Sequence, residues 1–201
     1  SKQDHNTEHY NPKTIVTNND VSPAINKNLE VAHSLSAAPE FFFVGTDGYS
    51  NFSGFPAFHK DLTSGNYLQL DGNSAQSSDS TYFPSGAAHA DYIKLGSAFI
   101  DDYGYGFNLR IWAFTGVDGH SKFGKYTGNG NTSGAGPVVY LGFKPALLMI
   151  KRIDSSNNWV ILDNKRNPSN TVNLTLQADS SSSEGGSSDT YLDFISTGFK
   201  V

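Results

Sequence analysis

Pro39-Glu40-Phe41-Phe42-Phe43-Val44 and Pro145-Ala146-Leu147-Leu148-Met149-Ile150 lie 106 residues apart and read alike: a proline, then a short hydrophobic run. Proline is tolerated as the first residue of a strand, and both runs are far below the roughly 20 residues of a spanning helix. Around them, other short runs alternate apolar and polar residues, as in Tyr67-Leu68-Gln69-Leu70 and Val172-Asn173-Leu174-Thr175-Leu176. That period of two belongs to half-buried strands of antiparallel sheets. Further strands are expected at Ala57–His59, Tyr92–Leu95, Leu109–Phe114, Val138–Leu141, Trp159–Asp163 and Tyr191–Ile195. No window holds a 3.6-residue stripe longer than two turns. The expected class is all-β.

Composition agrees. Hydrophobic residues make up 37% and charged residues 16% of the 201, below the soluble averages of about 45–50% and 25%. Gly, Ser and Asn fill the gap, while aromatics reach 13%. A disordered chain would lack those aromatics, and a coiled coil would be rich in Ala, Glu, Lys and Leu. The net charge of −5 argues against a nucleic-acid partner, which needs clustered Lys and Arg. No basic amphipathic stretch suggests a membrane partner. Cysteine is absent, so there is no disulfide framework and no thiolate chemistry.

Residues 1–13 are polar and aperiodic and read as an N-terminal arm or linker. Beyond them the 106-residue offset continues: Tyr67–Leu70 falls on Asn173–Leu176, each followed by a Ser-rich stretch, Ser74–Ser80 and Ser180–Ser188. With the offset reduced to 100, Tyr92–Leu95 falls on Tyr191–Phe194 and Phe99 on Phe199. The expected architecture is two tandem antiparallel β-sandwich modules, jelly-roll-like, at 14–117 (a divergent copy) and 118–201. The first copy continues into Tyr105-Gly106-Phe107-Asn108-Leu109-Arg110-Ile111-Trp112-Ala113-Phe114, whereas the second stops at Phe199-Lys200-Val201. The second module is therefore expected to lack its last strand. Either the chain continues beyond Val201, the favoured expectation, or another chain supplies the strand, since an unpaired edge would otherwise stand open.

The second copy carries an ordered string: Phe123-Gly124-Lys125-Tyr126-Thr127-Gly128-Asn129-Gly130, Gly136 through Ala146, Ile150-Lys151-Arg152, Asn158 through Pro168, and Gly198-Phe199-Lys200-Val201. It resembles a module found repeatedly in tail, fibre and other virion structural proteins of tailed phages, marine and cyanobacterial ones especially. The likeness covers about residues 121–201 well and residues 30–117 as a divergent copy. In that family a last strand of the Tyr-x-Ala-Phe type follows Gly-Phe-Lys. Trp112-Ala113-Phe114 fills that role in the first copy and nothing does in the second. The resemblance implies a non-enzymatic protein of the virion, assembled in the host cytoplasm, with other virion subunits as partners. By analogy with fibres it implies a homo-oligomer, a trimer for preference.

Taken alone, the residues of that string read as structural. Thr127–Gly130 is a turn signal. Trp159 begins an alternating strand, where a core indole is expected. Lys151, Arg152, Lys165 and Arg166 with Asp154 and Asp163 offer cross-strand ion pairs, or a grip on a neighbouring subunit.

Catalytic patterns are weak. Asp91, Asp101 and Asp102 beside Tyr103-Gly104-Tyr105 could suggest glycoside chemistry, which needs two opposed carboxylates, but Asp-Asp-Tyr-Gly reads better as a hairpin turn. Asp71-Gly72-Asn73 and Asp118-Gly119-His120 lack the downstream Glu of a calcium loop. The six His are scattered and no nucleophile elbow appears. No enzyme activity, cofactor or metal is expected. The alternative to a virion structural role is a carbohydrate-binding adhesin recognising a host surface glycan. Its platform would draw on exposed aromatics among Tyr49, Phe52, Phe55, Tyr103 and Tyr105. Candidate glycan or partner contacts are thus Tyr103, Tyr105, Phe52, Phe55, Arg152 and Arg166.

Overall fold

The computed structural model describes residues 13–16, 28–47, 54–100, 108–131, 135–186 and 192–201. They form short antiparallel strands and one 3-10 turn, Ser97–Phe99, with no α-helix among the described residues. No helix among them is long and apolar enough to cross a membrane. The chain divides into two compact units. Unit one is Ser1–Leu70 with Gln76–Val117; unit two is Asp71–Ala75 with Asp118–Val201.

Unit one contains β1 (Lys13–Val16), β2 (Leu29–Ala32), β3 (Phe41–Asp47), β4 (Pro56–His59), β5 (Asn66–Gln69), β6 (Ser77–Ser78), β7 (Tyr92–Leu95) and β8 (Asn108–Phe114). Six of these form one sheet in the order β1-β8-β3-β4-β5-β6, and β2 pairs with β7 in a second. The long β3–β8 ladder sets the register, from Phe41 opposite Phe114 to Asp47 opposite Asn108. Period-two geometry then sends Phe42, Val44, Leu109, Ile111 and Ala113 to one face, where all are buried. There they meet Val31, Ile93 and Leu95 from the second sheet, with Phe83 from a connecting loop and Phe99 from the 3-10 turn. Phe42 stacks on Phe58 and meets Phe83 edge-on, with ring centroids 4.7 and 5.1 Å away. Full burial of such a side chain contributes roughly 1.5–3 kcal/mol.

Unit two contains β9 (Val138–Tyr140), β10 (Leu147–Ile150), β11 (Val160–Asp163), β12 (Leu174–Gln177), β13 (Gly185–Gly186), β14 (Asp193–Ile195) and β15 (Gly198–Lys200). One sheet runs β10-β11-β12-β13 and the other β14-β15-β9. Leu162, Val172, Leu192, Phe194 and Phe199 are buried together, with Leu148, Ile150, Val139 and Val201 packed against them. Trp159 is buried, as its strand context predicts. Residues 71–75 join this unit through Asn73, whose carbonyl accepts the Asn157 N–H at 2.8 Å and the Lys151 ammonium at 3.1 Å.

Strand order recurs: β3-β4-β5-β6 in unit one runs as β10-β11-β12-β13 does in unit two. Phe42 faces Phe58 as Leu148 faces Leu162, and the Ala88–Ile93 bridge stands where Phe194 faces Phe199. These registers correct two sequence alignments. Tyr67 stands with Thr175 rather than Asn173, because Tyr67 faces Ser77 as Thr175 faces Gly185. Tyr92–Leu95 corresponds to Gly198–Val201, not to Tyr191–Phe194, because β7 faces β2 as β15 faces β9. Asp193 and Phe194 belong to β14, the hairpin partner of β15. One difference between the sheets remains. The edge of β3 away from β4 carries β8, while the matching edge of β10 pairs with nothing among the described residues.

Candidate binding surface

The same alternation that fills the core of unit one puts a second set of side chains on the sheet's outer face. Phe41 and Phe43 of β3, Ala57 and His59 of β4, Leu68 of β5, and Arg110, Trp112 and Phe114 of β8 share it. Phe43 lies flat on Trp112, with centroids 4.9 Å apart and planes 14° apart. Phe41 stacks on Phe114 at 6.0 Å and leans on His59 at 6.4 Å. Phe55 extends the row. A Cβ on Gly45 would come within 2.7 Å of the Phe55 ring and 3.2 Å of Trp112, so the bare glycine makes room for both rings. The product is a ladder of half-buried aromatic rings, ending in Phe55 at 39% exposure. Ala57 and Leu68 on this face are buried, and Phe41, Phe43, Trp112 and Phe114 are half-buried, so Phe55 is the most open ring of the row.

At the far end the ladder becomes polar. The Lys60 ammonium pairs with Glu40 at 2.8 Å. The Nδ1 of His59 accepts the Asp61 N–H at 3.1 Å, which requires that nitrogen to be unprotonated. Burial pushes the His59 pKa below its usual value, against an upward pull from Asp61.

Unit two presents aliphatic side chains at the matching positions: Leu147 and Met149 on β10, Ile161 on β11, Leu176 on β12. Leu147 is 62% exposed. On its other sheet Val138 and Tyr140 are more than half exposed, and the Lys122 ammonium sits 5.6 Å from the Tyr140 ring centroid.

The residues singled out from sequence fall in different places. Tyr103, Tyr105 and Phe52, with Tyr49, Asp101 and Asp102, lie outside the described residues. Phe55 is exposed on the ladder. Arg152 is exposed and holds Asp154 at 2.7 Å. Arg166 is turned inward: Nε donates to Asp163 at 2.6 Å, Nη1 to Glu184 at 3.1 Å and Nη2 to the Ile161 carbonyl at 3.1 Å. Arg166 clasps the turn after β11 to the loop before β13. The Arg152 and Arg166 pairs with Asp154 and Asp163 lie two and three residues apart in local turns, not across strands as expected.

The turns themselves were legible. Gly119 and Gly130 adopt φ of 76° and 71°, which glycine reaches without strain. Asn129 Oδ1 accepts the Asn131 N–H two residues on. Among the described residues no group of three or more His, Asp or Glu is placed to hold a metal ion. What the sequence reading missed is the ladder. Its signal was the alternation within Phe41–Phe43 and Arg110–Phe114, which gives each strand two apolar faces where one would serve the core.

Comparison with known families fixes the chain's kinship. A domain family of unknown function, DUF7483, matches residues 19–201. The chain belongs to the DUF7483 family. Its match runs across both units, so a single DUF7483 domain comprises the aromatic face of unit one and the aliphatic face of unit two. No curated protein and no solved structure matches the chain.

Proposed function

We propose that this DUF7483 chain is a non-enzymatic virion structural protein of a tailed phage, part of a fibre, tail or capsid-surface appendage. Its work is assembly: rigid β-modules bury their own cores and present apolar outer faces to neighbouring subunits. The observation that carries this reading is the outer face of unit two, where Leu147 and Leu176 stay exposed beside Met149 and Ile161. Aliphatic residues on the outer face of a sheet suit protein contact better than ligand chemistry, which needs convergent polar groups in a concavity. The resemblance of residues 121–201 to phage virion modules supports the same reading. Immunogold labelling of purified particles with antibody against the chain tests it. Label on an appendage is expected; label absent from particles overturns it.

A second reading, a carbohydrate-binding adhesin, is favoured by the exposed Phe55 ring beside Trp112, since adjoining flat rings suit the apolar face of a sugar. Glycan-array binding lost on combined Phe55→Ala and Trp112→Ala substitution would support this reading over the first.

A further inference from the structure

Each described histidine of unit one holds a turn by the same bond. The Nδ1 of His33 accepts the Leu35 N–H at 3.2 Å, that of His59 the Asp61 N–H at 3.1 Å, and that of His89 the Asp91 N–H at 3.2 Å. The acceptor stands two residues before the donor in every case, so an imidazole does here what an Asn or Asp side chain does in other turns. Accepting requires a bare Nδ1, hence a neutral ring with its proton on Nε2. His33 uses that proton as well, for its Nε2 donates to the His89 carbonyl at 2.9 Å.

His33 and His89 form one clasp. The His33 N–H donates to the Asp91 carbonyl at 3.2 Å, extending the β2–β7 ladder one step past Ala32–Tyr92. The His89 N–H bonds to the Tyr92 carbonyl at 3.0 Å, and the two rings stack with centroids 4.2 Å apart. The exit of β2 and the entry of β7 are thereby fastened together. Leu35, whose N–H the clasp holds, is buried in the core of unit one. Beside the clasp, the Asp91 carboxylate lies 3.6 Å from His89 Nδ1, and Glu30 faces Lys94 two residues along the ladder from Ala32 and Tyr92. Around His59 the charged groups are Asp61 at 3.9 Å, Lys60 and Glu40. These carboxylates attract a proton, yet a proton on Nδ1 removes the acceptor whichever group it then faces.

Unit two is built otherwise. At the position of His59 it carries Asp163, whose Oδ1 accepts the Lys165 N–H at 2.9 Å. Asn129 Oδ1 accepts the Asn131 N–H at 3.1 Å in the same way. Its single histidine, His120, donates from Nδ1 to the Asp118 carbonyl at 3.2 Å, a bond that a protonated ring keeps.

We infer that unit one carries an acid latch: protons taken up by His33, His89 and His59 unfasten the β2–β7 clasp and the turn after β4, while the carboxylate and amide turns of unit two stay closed. The imidazole is the side chain whose charge changes between about pH 5 and 8. Side-chain amides do not titrate there, and the Asp163 carboxyl is held below the usual carboxylate range. Opening frees the segment that carries Leu35 into the core. The device goes beyond the assembly and adhesin readings and depends on neither.

Heteronuclear magnetic resonance on the 201-residue chain tests the latch. At about pH 8 the ring nitrogens of all three histidines should report a bare Nδ1. As the pH falls to about 5, the Leu35, Asp61 and Asp91 amide signals should move with the titration of their own rings. Protection of the Leu35 amide, corrected for its intrinsic exchange rate, should drop by about tenfold or more. The Lys165 and Asn131 amides of unit two should keep their positions. His33→Asn combined with His89→Asn leaves an oxygen acceptor two residues before each donor, as Asn129 supplies, and removes the titration. Leu35 should then stay protected in acid. A proton on Nδ1 of His33 or His89 at about pH 8 overturns the inference, as does Leu35 protection that is unchanged through the ring titration. Loss of protection that persists in the double variant overturns it too, because another group would then be the sensor. Parallel loosening at Lys165 and Asn131 overturns the contrast between the units. The tautomer and exchange readings come from the unaltered chain, so they decide even if the variant misfolds.

Discussion

Phe43 and Trp112 face one another across β3 and β8 and stack with ring centroids 4.9 Å apart, on the side of the sheet away from the core. This pair is near-parallel, with ring planes 14° apart, whereas Phe41 is tilted by 48° to Phe43. A double-mutant cycle of Phe43→Ala and Trp112→Ala should give a coupling of about 0.5–1.5 kcal/mol, measured by urea unfolding. A coupling near zero would mean that each ring merely shields the strand beneath it.

His59 supplies a pH response. Its Nδ1 accepts the Asp61 N–H, and burial lowers its pKa. The unfolded chain takes up this proton first, so the contribution of His59 to stability is full above about pH 6.5. It is lost as pH falls from there through the lowered native value. Nuclear magnetic resonance titration should find the ring's midpoint below 6.5, with the Asp61 amide shifting at the same pH. His59→Gln should remove that part of the pH dependence from the urea midpoint.

Asp163 behaves in the same sense at lower pH. The backbone N–H of Arg166, then its guanidinium, then the Lys165 N–H hold its carboxyl below the usual carboxylate range. Its stabilising contribution is present above the unfolded value of about 3.9 and fades as pH falls through the native one. Arg166→Ala should lower the urea midpoint of unit two at pH 7, with the deficit closing in acid. Arg166→Lys should rescue only in part, because an ammonium cannot reproduce three divergent donors of a planar fork.

Gly198 has no room for a side chain. A Cβ there would collide with the Val139 carbonyl oxygen of the facing strand β9. Gly198→Ala should cost about 1–3 kcal/mol and lower the melting temperature of unit two, read by differential scanning calorimetry. Gly124→Ala, whose added carbon meets nothing within 4 Å, is the control.

Leu147→Lys places a charge on the outer face of β10, where the native side chain is 62% exposed. Stability should stay within about 0.5 kcal/mol, while incorporation of the chain into particles should fall sharply. Unchanged incorporation would remove this face from the assembly surface.

Much of the fold could be read from residue order because the decisive strands carry their own pattern. Phe41–Val44 and Leu109–Phe114 are apolar enough to be strands in any setting, and Trp159 was placed in a core by its neighbours alone. Strand β2, Leu29-Glu30-Val31-Ala32, is not among the strands expected, although it alternates over four residues as Tyr67–Leu70 does; its pairing with β7 is what identifies it. Strand β15 was read as a motif, since glycine at its head argues against a strand until the closeness of β9 explains it. The surface was harder than the fold. An alternating Phe-Phe-Phe run does not say which rings face the core, because that depends on the sheet packed against it. Asparagine excess likewise read as loop composition, whereas Asn170 bonds both backbone groups of Phe194 with its side-chain amide, replacing a strand partner.

Asp71–Ala75 alters what cleavage of this chain can yield. The polypeptide leaves unit one after Leu70, lends five residues to unit two, returns at Gln76, and departs again after Val117. No single cut therefore releases two autonomous halves. A fragment starting at Asp118 would strip the Asn157 amide and the Lys151 ammonium of their Asn73 acceptor. The path of the backbone thus ties the fold of unit two to five residues that lie within the sequence span of unit one.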